Sequence, residues 1–319
     1  MRFVSKTSVL GLLIGGFALC MTFFGGGAVF AEGEENIPAT RMQISPVSNR
    51  ISISPNQEII DKFTIANTGS SDFKYKVYAA PYSVTNENYG QNFSTQNDYT
   101  KITSWISFRV PGGEWSNEPT FSIGKGEKQT IEYRINAPQD IPAGGQYATL
   151  FAESADGNNE NGSNSGIKTS SRVGLILYAG VSGDTRREGA IEDFNFSHFL
   201  LGGKIEATTK AKNTGNIDFN INYAFEIQSL FGKTLFEKKE GQIVLPGTER
   251  RITQKWDDTP WIGIFKVHYR AAVLGDVRDE TAVVFVIPLF VIIILILFLT
   301  ILTIWTIMVI RRVKERKKH

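Results

Sequence analysis

Cysteine is almost missing from this chain, and histidine is scarce. Of 319 residues one is cysteine, Cys20, and three are histidine, His198, His268 and His319. Cys20 lies in an N-terminal segment expected to be removed, so the mature chain has no thiol for disulfides or nucleophilic catalysis. The histidines stand far apart, and no His-Glu-x-x-His, paired cysteine or phosphate-cradling glycine loop is present. No serine occupies a nucleophile-elbow pattern. The polar run that starts at Asp156 resembles a calcium loop in composition only: its glycine falls one place late and its twelfth position is Ile167 rather than Glu. Asp257-Asp258 reads as a solvated turn before Pro260. These absences predict a protein that is not an enzyme and carries no metal and no cofactor. A third reading, an enzyme acting on wall glycans, would need two carboxylates about 5–10 Å apart in a cleft, a separation that spacing along the chain does not give.

A basic surface is also lacking. The chain has 34 Lys+Arg and 32 Asp+Glu. The first 31 residues hold two of the basic residues, Arg2 and Lys6, and the last nine hold six with one acid. The intervening body keeps 26 basic and 31 acidic residues, a net charge of −5. Nucleic acid is excluded as a partner, because binding phosphate requires clustered Lys and Arg.

What is present at the two ends sets an expected address. Arg2 and Lys6 precede an uncharged apolar stretch, then small residues and Val29-Phe30-Ala31, which fits a signal peptide (1–31) cleaved after Ala31. Leu19 stands where a lipoprotein site needs a small residue before Cys20. Near the other end, 288–310 is uncharged and rich in Ile, Leu, Phe and Val, with only Thr300, Thr303 and Thr306 as polar interruptions. At 1.5 Å per residue these positions span about 34 Å, enough to cross a bilayer. The basic tail 311–319 follows, which the positive-inside rule puts in the cytoplasm. The expectation is a single-pass membrane protein with its body outside the cytoplasm. Leu245-Pro246-Gly247-Thr248-Glu249 is a poor sortase signal, with Glu in place of Gly and too far upstream, so the helix itself is the anchor.

The body reads as all-β. Short runs such as Ile51-Ser52-Ile53, Phe63-Thr64-Ile65 and Phe73 through Tyr78 alternate apolar and polar residues between Gly, Asn, Pro and Ser clusters. Period-two alternation means one buried and one wet face, as in an antiparallel sandwich. The chain also repeats itself. Asn67-Thr68-Gly69-Ser70-Ser71-Asp72-Phe73 returns as Asn213-Thr214-Gly215-Asn216-Ile217-Asp218-Phe219. Lys125-Gly126-Glu127 and Pro246-Gly247-Thr248-Glu249 each precede a further strand, and Gly144-Gly145-Gln146-Tyr147 and Gly263-Ile264-Phe265 each open one. Three landmarks in one order predict two tandem immunoglobulin-like sandwiches of about seven strands, 32–183 and 184–287. The second is expected to close with the pair 265–274 and 281–286, joined by 275–280. The run 155–171 is expected to be a long hairpin loop before a strand at 172–182.

Candidate binding residues lie in a polar insertion from Tyr82 to Trp115, rich in Asn, Gln, Ser and Thr. Aromatic faces beside amide side chains suit sugar rings. Tyr89, Asn92, Tyr99 and Trp115 are therefore the candidate glycan-binding residues, while Trp105, alternating with Ile102, Ile106 and Phe108, is expected to pack inward. Phe231 and Trp261, near turns in the second unit, are candidate protein-binding residues. Asn92, Asn161 and Asn195 begin Asn-x-Ser sequons.

The order of signal peptide, two sandwiches, one membrane helix and a basic tail resembles the WxL-interacting proteins of Gram-positive cell surfaces. The matching residues are Ile65-Ala66-Asn67-Thr68-Gly69, Val84-Thr85-Asn86-Glu87-Asn88-Tyr89-Gly90, Ala137-Pro138 with Gly145-Gln146-Tyr147, Lys212-Asn213-Thr214-Gly215 and Gly263-Ile264-Phe265. The resemblance implies that the first unit binds peptidoglycan, a cell-wall glycan, and that the second holds a surface protein carrying a WxL domain. No Trp-x-Leu occurs in this chain, which would make it the scaffold. The alternative expectation is a membrane-tethered chaperone that binds secreted subunits by strand addition. The apolar run Val173-Gly174-Leu175-Ile176-Leu177-Tyr178 is the edge to examine for it.

Overall fold

The computed structural model describes residues 38–154 and 170–316. The expected cleavage after Ala31, the calcium-like run at Asp156 and the sequon at Asn161 lie outside the described residues.

The first sandwich follows from strands that bury every second residue. Its elements are β1 (Met42–Ser45), β2 (Ser48–Ile53), β3 (Glu58–Asn67), β4 (Phe73–Pro81), β5 (Ser83–Val84), β6 (Gln91–Asn92), a 3-10 turn (Lys101–Trp105), β7 (Ile106–Arg109), β8 (Thr120–Ile123), β9 (Lys128–Asn136), β10 (Gly144–Ser154) and β11 (Arg172–Val181). One sheet runs β1-β3-β9-β7 and faces another of order β2-β11-β10-β4-β8. In β4 the residues Phe73, Tyr75 and Val77 are buried and Lys74 is exposed. Trp105 packs against this core as the alternation predicts.

The second sandwich repeats the plan. Its strands are β12 (Gly189–Phe196), β13 (Phe199–Leu200), β14 (Ile205–Asn213), β15 (Phe219–Ser229), β16 (Thr234–Val244), β17 (Glu249–Trp256), β18 (Gly263–Val273) and β19 (Asp276–Val286). Their sheets run β12-β14-β17 and β13-β19-β18-β15-β16. Each of these eight strands has a counterpart in the first unit, where only β5, β6 and β7 are additional, and both units begin in the same way. β1 pairs antiparallel with β3, and the chain then crosses at the cis Ser45–Pro46 bond to lie parallel to β11 as β2. β12 likewise pairs antiparallel with β14 before β13 lies parallel to β19. Splitting the first strand between sheets is why the second unit has eight strands where seven were expected. The last hairpin is also tighter than the sequence suggests: Leu274 (φ 47°) and Gly275 (φ 96°) alone make the turn, in the doubly left-handed form that two-residue hairpins favour. β19 consequently begins at Asp276 rather than Thr281.

The repeated Asn-Thr-Gly segment is a working part of each unit. A Cβ on Gly69 would lie 2.4 Å from the Ala39 carbonyl oxygen, and one on Gly215 would lie 2.1 Å from that of Arg186. In both units glycine lets the incoming chain cross directly over this turn.

After β19 comes α1 (Leu289–Arg316), 28 residues long. Its uncharged part, 289–310, is about 33 Å long at 1.5 Å per residue, and the helix is long and apolar enough to cross a membrane. The Thr300, Thr303 and Thr306 hydroxyls donate to carbonyls three or four residues earlier, which satisfies them without an outside partner.

Candidate interaction surfaces

The end of the first sandwich from which β11 leaves is packed onto the second. Gly145 N–H donates to the Asn216 carbonyl at 2.7 Å. The buried Tyr147 hydroxyl donates to Asp218 Oδ1 at 2.9 Å and accepts from the Asp218 N–H at 3.0 Å. Arg50, half exposed on β2, forks onto the same carboxylate at 3.2 and 2.7 Å. That hydrogen bond holds the Arg50 guanidinium above its ordinary range, while burial, reinforced by the Asp218 charge, pushes the Tyr147 phenol up. Asp218 belongs to the repeated motif, yet its counterpart Asp72 only accepts the Lys125 N–H inside its own unit. Nothing in the sequence marks Arg50 or Tyr147 as its partners.

Two of the expected glycan-binding residues lie inside this contact. Tyr89 sits at φ 60°, a conformation that costs a non-glycine residue about 1–2 kcal/mol. Its hydroxyl pairs with Thr248 Oγ1 at 2.7 Å and accepts the Leu245 N–H at 2.7 Å, and the Arg250 guanidinium lies 4.0 Å from its ring centre. Burial pushes its phenol up. Glu87, two residues earlier, takes a bidentate ion pair from Arg251 at 2.8 and 3.2 Å. Tyr99 joins the same cluster with Tyr82, Tyr147 and Leu245, and its carbonyl accepts the Tyr147 N–H at 2.7 Å. The polar insertion that reads as a sugar-binding loop is thus a clamp onto the second sandwich, built on the β5–β6 hairpin.

Trp115 is held elsewhere, between the guanidinium groups of Arg109 and Arg134 at 4.2 and 4.6 Å. Asn92 closes a local turn, accepting the Ser94 and Thr95 N–H groups and donating to Thr95 Oγ1. The four residues therefore do not form one platform. Phe231 and Trp261 do share a location. Both lie at the end of the second sandwich where α1 begins, and Trp261 stacks on Phe290 at 6.0 Å and 14°.

The apolar run on β11 is the other surface of interest. Leu175, Leu177, Ala179 and Val181 are buried in the core, while Gly174, Ile176 and Tyr178 alternate to the outer face. β2 covers the edge of β11 only from Ile176 to Val181. Ile176 N–H donates to the Val47 carbonyl and Ser182 N–H to that of Ile53, so even-numbered residues turn their donors to this side. Arg172 and Gly174 continue the row beyond the end of β2, and no strand among the described residues pairs with them there. Beside the open stretch is a concavity of about 310 Å³ lined by Tyr78, Asn92, Phe93, Phe151 and Arg172. Its aromatic wall is fixed by the edge contact of Phe93 on Phe151 at 5.0 Å and by the Arg172 guanidinium over the Phe151 ring at 4.5 Å.

The other long edges are charged. β16 carries Glu237, Lys238, Lys239 and Glu240, β17 carries Arg250, Arg251 and Lys255, and β19 carries Asp276, Arg278, Asp279 and Glu280. Charge on an edge deters pairing with another chain. Between Val173 and Tyr178 β11 has none. Among the described residues no group of three His, Cys, Asp or Glu side chains could hold a metal ion.

No family model matches the chain, and no curated protein matches it. Solved structures similar to it include the class 5 fimbriae chaperone CfaA, at 9% identity and TM-score 0.35 over 78% of this chain and 100% of that one. The E. coli chaperone DraB is 9% identical with TM-score 0.35, over 76% and 97%. The Salmonella enterica SafA pilin in complex with the SafB chaperone gives 10% identity and TM-score 0.34, over 77% and 96%. The resemblance to WxL-interacting proteins is corrected by these findings: no model of that family matches, and the similar structures named here are those of fimbrial chaperones. The expectation of peptidoglycan binding by the first unit falls with it, and Tyr89 and Tyr99, assigned to that task, are engaged with the second sandwich instead.

Proposed function

We propose that the chain is a membrane-tethered binding protein that holds an extended segment of a partner polypeptide along the open edge of β11, with α1 as its anchor and its two sandwiches outside the cytoplasm. The uncovered stretch from Arg172 to Leu175 carries this reading; the distant likeness to pilus chaperones does not. An added strand gains main-chain hydrogen bonds from the edge, and side chains at alternate positions enter the neighbouring concavity. Phe93 and Phe151 make that concavity suited to an apolar side chain. The function is binding rather than catalysis, and the partner is a secreted or surface protein.

The test places a photoreactive amino acid at Arg172, exposed on the open edge, in the full chain, in cells that make it, with Lys239 on the charged edge of β16 as the control position. The expected outcome is a discrete cross-linked protein at 172 and none at 239. No adduct at 172, or equal adducts at both positions, overturns the proposal.

A further inference from the structure

The helix end of the second sandwich carries a rim of apolar side chains that stay at least half exposed among the described residues. Phe231 is 99% exposed, Trp261 65%, Leu230 58%, Leu201 53% and Phe199 50%. They come from three separate connections: β13 and the turn after it, the β15–β16 turn, and the β17–β18 loop. Single exposed apolar residues are ordinary, but a contiguous group from several loops marks a contact surface.

Register places the rim at the level where α1 starts. Ser229 pairs with Phe265, and Phe265 with Val284, so Leu230 and Phe231 reach one and two residues further, level with Phe285 and Val286. Phe199 and Leu200 pair with Phe285 and Val286 directly. Gly263 pairs with Val286, which puts Trp261 and Ile262 beside Ile287 and Pro288. Trp261 then stacks on Phe290, the second residue of the helix.

The repeat says what this end is for. In the first sandwich the corresponding end, where β4, β9 and β11 finish, packs against the element that follows, and the connection after β4 supplies Tyr89 and Glu87 to that contact. The connection after β15 is the turn that carries Phe231. Here the element that follows is an apolar helix. A Trp–Phe pair at its first turn and a cationic Lys233 two residues past Phe231 match the amphipathic belt of a bilayer interface. The acidic pair Asp257-Asp258 lies on the far side of Thr259 and Pro260, and Asp257 is ion-paired to Lys204.

We propose that this rim rests in the lipid interface, with Phe231 and Trp261 among the headgroups and upper acyl chains, so that the second sandwich stands upright on the membrane instead of swinging from α1. The inference rests on α1 crossing a bilayer, and its test separates the two. The full chain, with Cys20→Ser, is reconstituted into phosphatidylcholine–phosphatidylglycerol vesicles containing brominated lipid. An environment-sensitive dye is attached in turn through Phe231→Cys, Trp305→Cys and Val47→Cys, the last on the far sandwich.

Quenching at 305 and at 231, strongest for bromine near the carbonyl end of the chain at 231, with none at 47, is the expected result. Quenching at 305 but not at 231 overturns the lipid contact while leaving the helix in the membrane. In that case shielding of 231 from aqueous iodide would assign the rim to a protein partner or a second copy. Loss of quenching at 305 overturns both.

Discussion

Asn67 and Asn213, 146 positions apart, make the same three hydrogen bonds. Asn67 Nδ2 donates to the carbonyls of Ser71 and Gly124, and its Oδ1 accepts the Gly69 N–H. Asn213 Nδ2 donates to those of Ile217 and Val244, and its Oδ1 accepts the Gly215 N–H. Each amide ties the tip of one sheet to the opposite turn, and each is 1% exposed.

Removing either amide should therefore be costly in the same way. A buried hydrogen bond contributes about 1 kcal/mol and an orphaned polar group costs about 1–3 kcal/mol, so Asn67→Ala and Asn213→Ala should each destabilise their sandwich by about 2–4 kcal/mol. Asn→Asp should be no milder, since the carboxylate would face two carbonyl oxygens while keeping only the glycine N–H. Urea unfolding of the four variants checks this. Equal stability of any of them with the parent would mean the repeat is decorative at that site.

The Tyr147–Asp218 pair makes a prediction about coupling rather than fold. Tyr147→Phe leaves the buried Asp218 N–H without its acceptor and removes one donor from the carboxylate, while Arg50 still holds it. The expected loss is about 1–3 kcal/mol of interdomain contact. A double-mutant cycle of Tyr147→Phe with Asp218→Ala should give a coupling energy of more than about 0.5 kcal/mol. Each variant should split one thermal transition into two if the interface joins the sandwiches into one cooperative unit. A single, unshifted transition in Tyr147→Phe would show that it does not.

Much of this architecture was legible before any coordinates. Alternation in Phe73, Tyr75 and Val77 and the repeated Asn-Thr-Gly-x-x-Asp-Phe marked strands and a two-fold repeat, because period two and turn chemistry are local properties. The uncharged 288–310 segment announced the helix for the same reason. What the sequence could not show was contact at long separation. Tyr89 meets Thr248 across 159 residues and Arg50 meets Asp218 across 168, and no periodicity encodes such pairs. The insertion around Tyr89 was misread because its Asn, Ser and Thr residues look solvated, whereas they shape a hairpin whose aromatic tips are covered by the second sandwich. The apolar run from Val173 was visible as a run, but that the cover of β11 by β2 begins only at Ile176 is a matter of register alone.

Acid should loosen the same interface. The hydrogen bonds from Arg251, followed by its charge and that of Lys210, hold the Glu87 carboxyl below its ordinary range. A group depressed in the folded state stabilises it above the ordinary carboxylate range near pH 4.3 and stops doing so as pH falls through the lowered value. The clamp should be intact above the ordinary carboxylate range and weaken as pH falls below it. Glu249, held down by Lys212 and Lys210 within the second sandwich, titrates in the same direction, so global melting would mix the two. The distance between dyes on the two sandwiches is the cleaner readout. Glu87→Gln should flatten its pH dependence, and an unchanged profile in that variant would assign the acid response elsewhere.

The open edge of β11 can be closed chemically without touching the core. Gly174 is a poor place to do so, since a Cβ there would lie 2.6 Å from Thr149 Cγ2 and 2.9 Å from Phe151 Cε1. Arg172 is better: it is the first residue of the strand, where proline is tolerated, and its N–H faces the uncovered side. Arg172→Pro removes one edge donor, and Arg172→Ala removes only the guanidinium over Phe151. If a partner adds a strand here, the loss of one hydrogen bond worth about 1 kcal/mol should weaken its binding about fivefold in Arg172→Pro relative to Arg172→Ala. Both variants should keep their thermal stability. Binding of the cross-linked partner, measured on membranes holding each variant, decides between backbone and side-chain recognition. Equal weakening in the two would mean that the partner reads the arginine and the concavity, and that no strand is added.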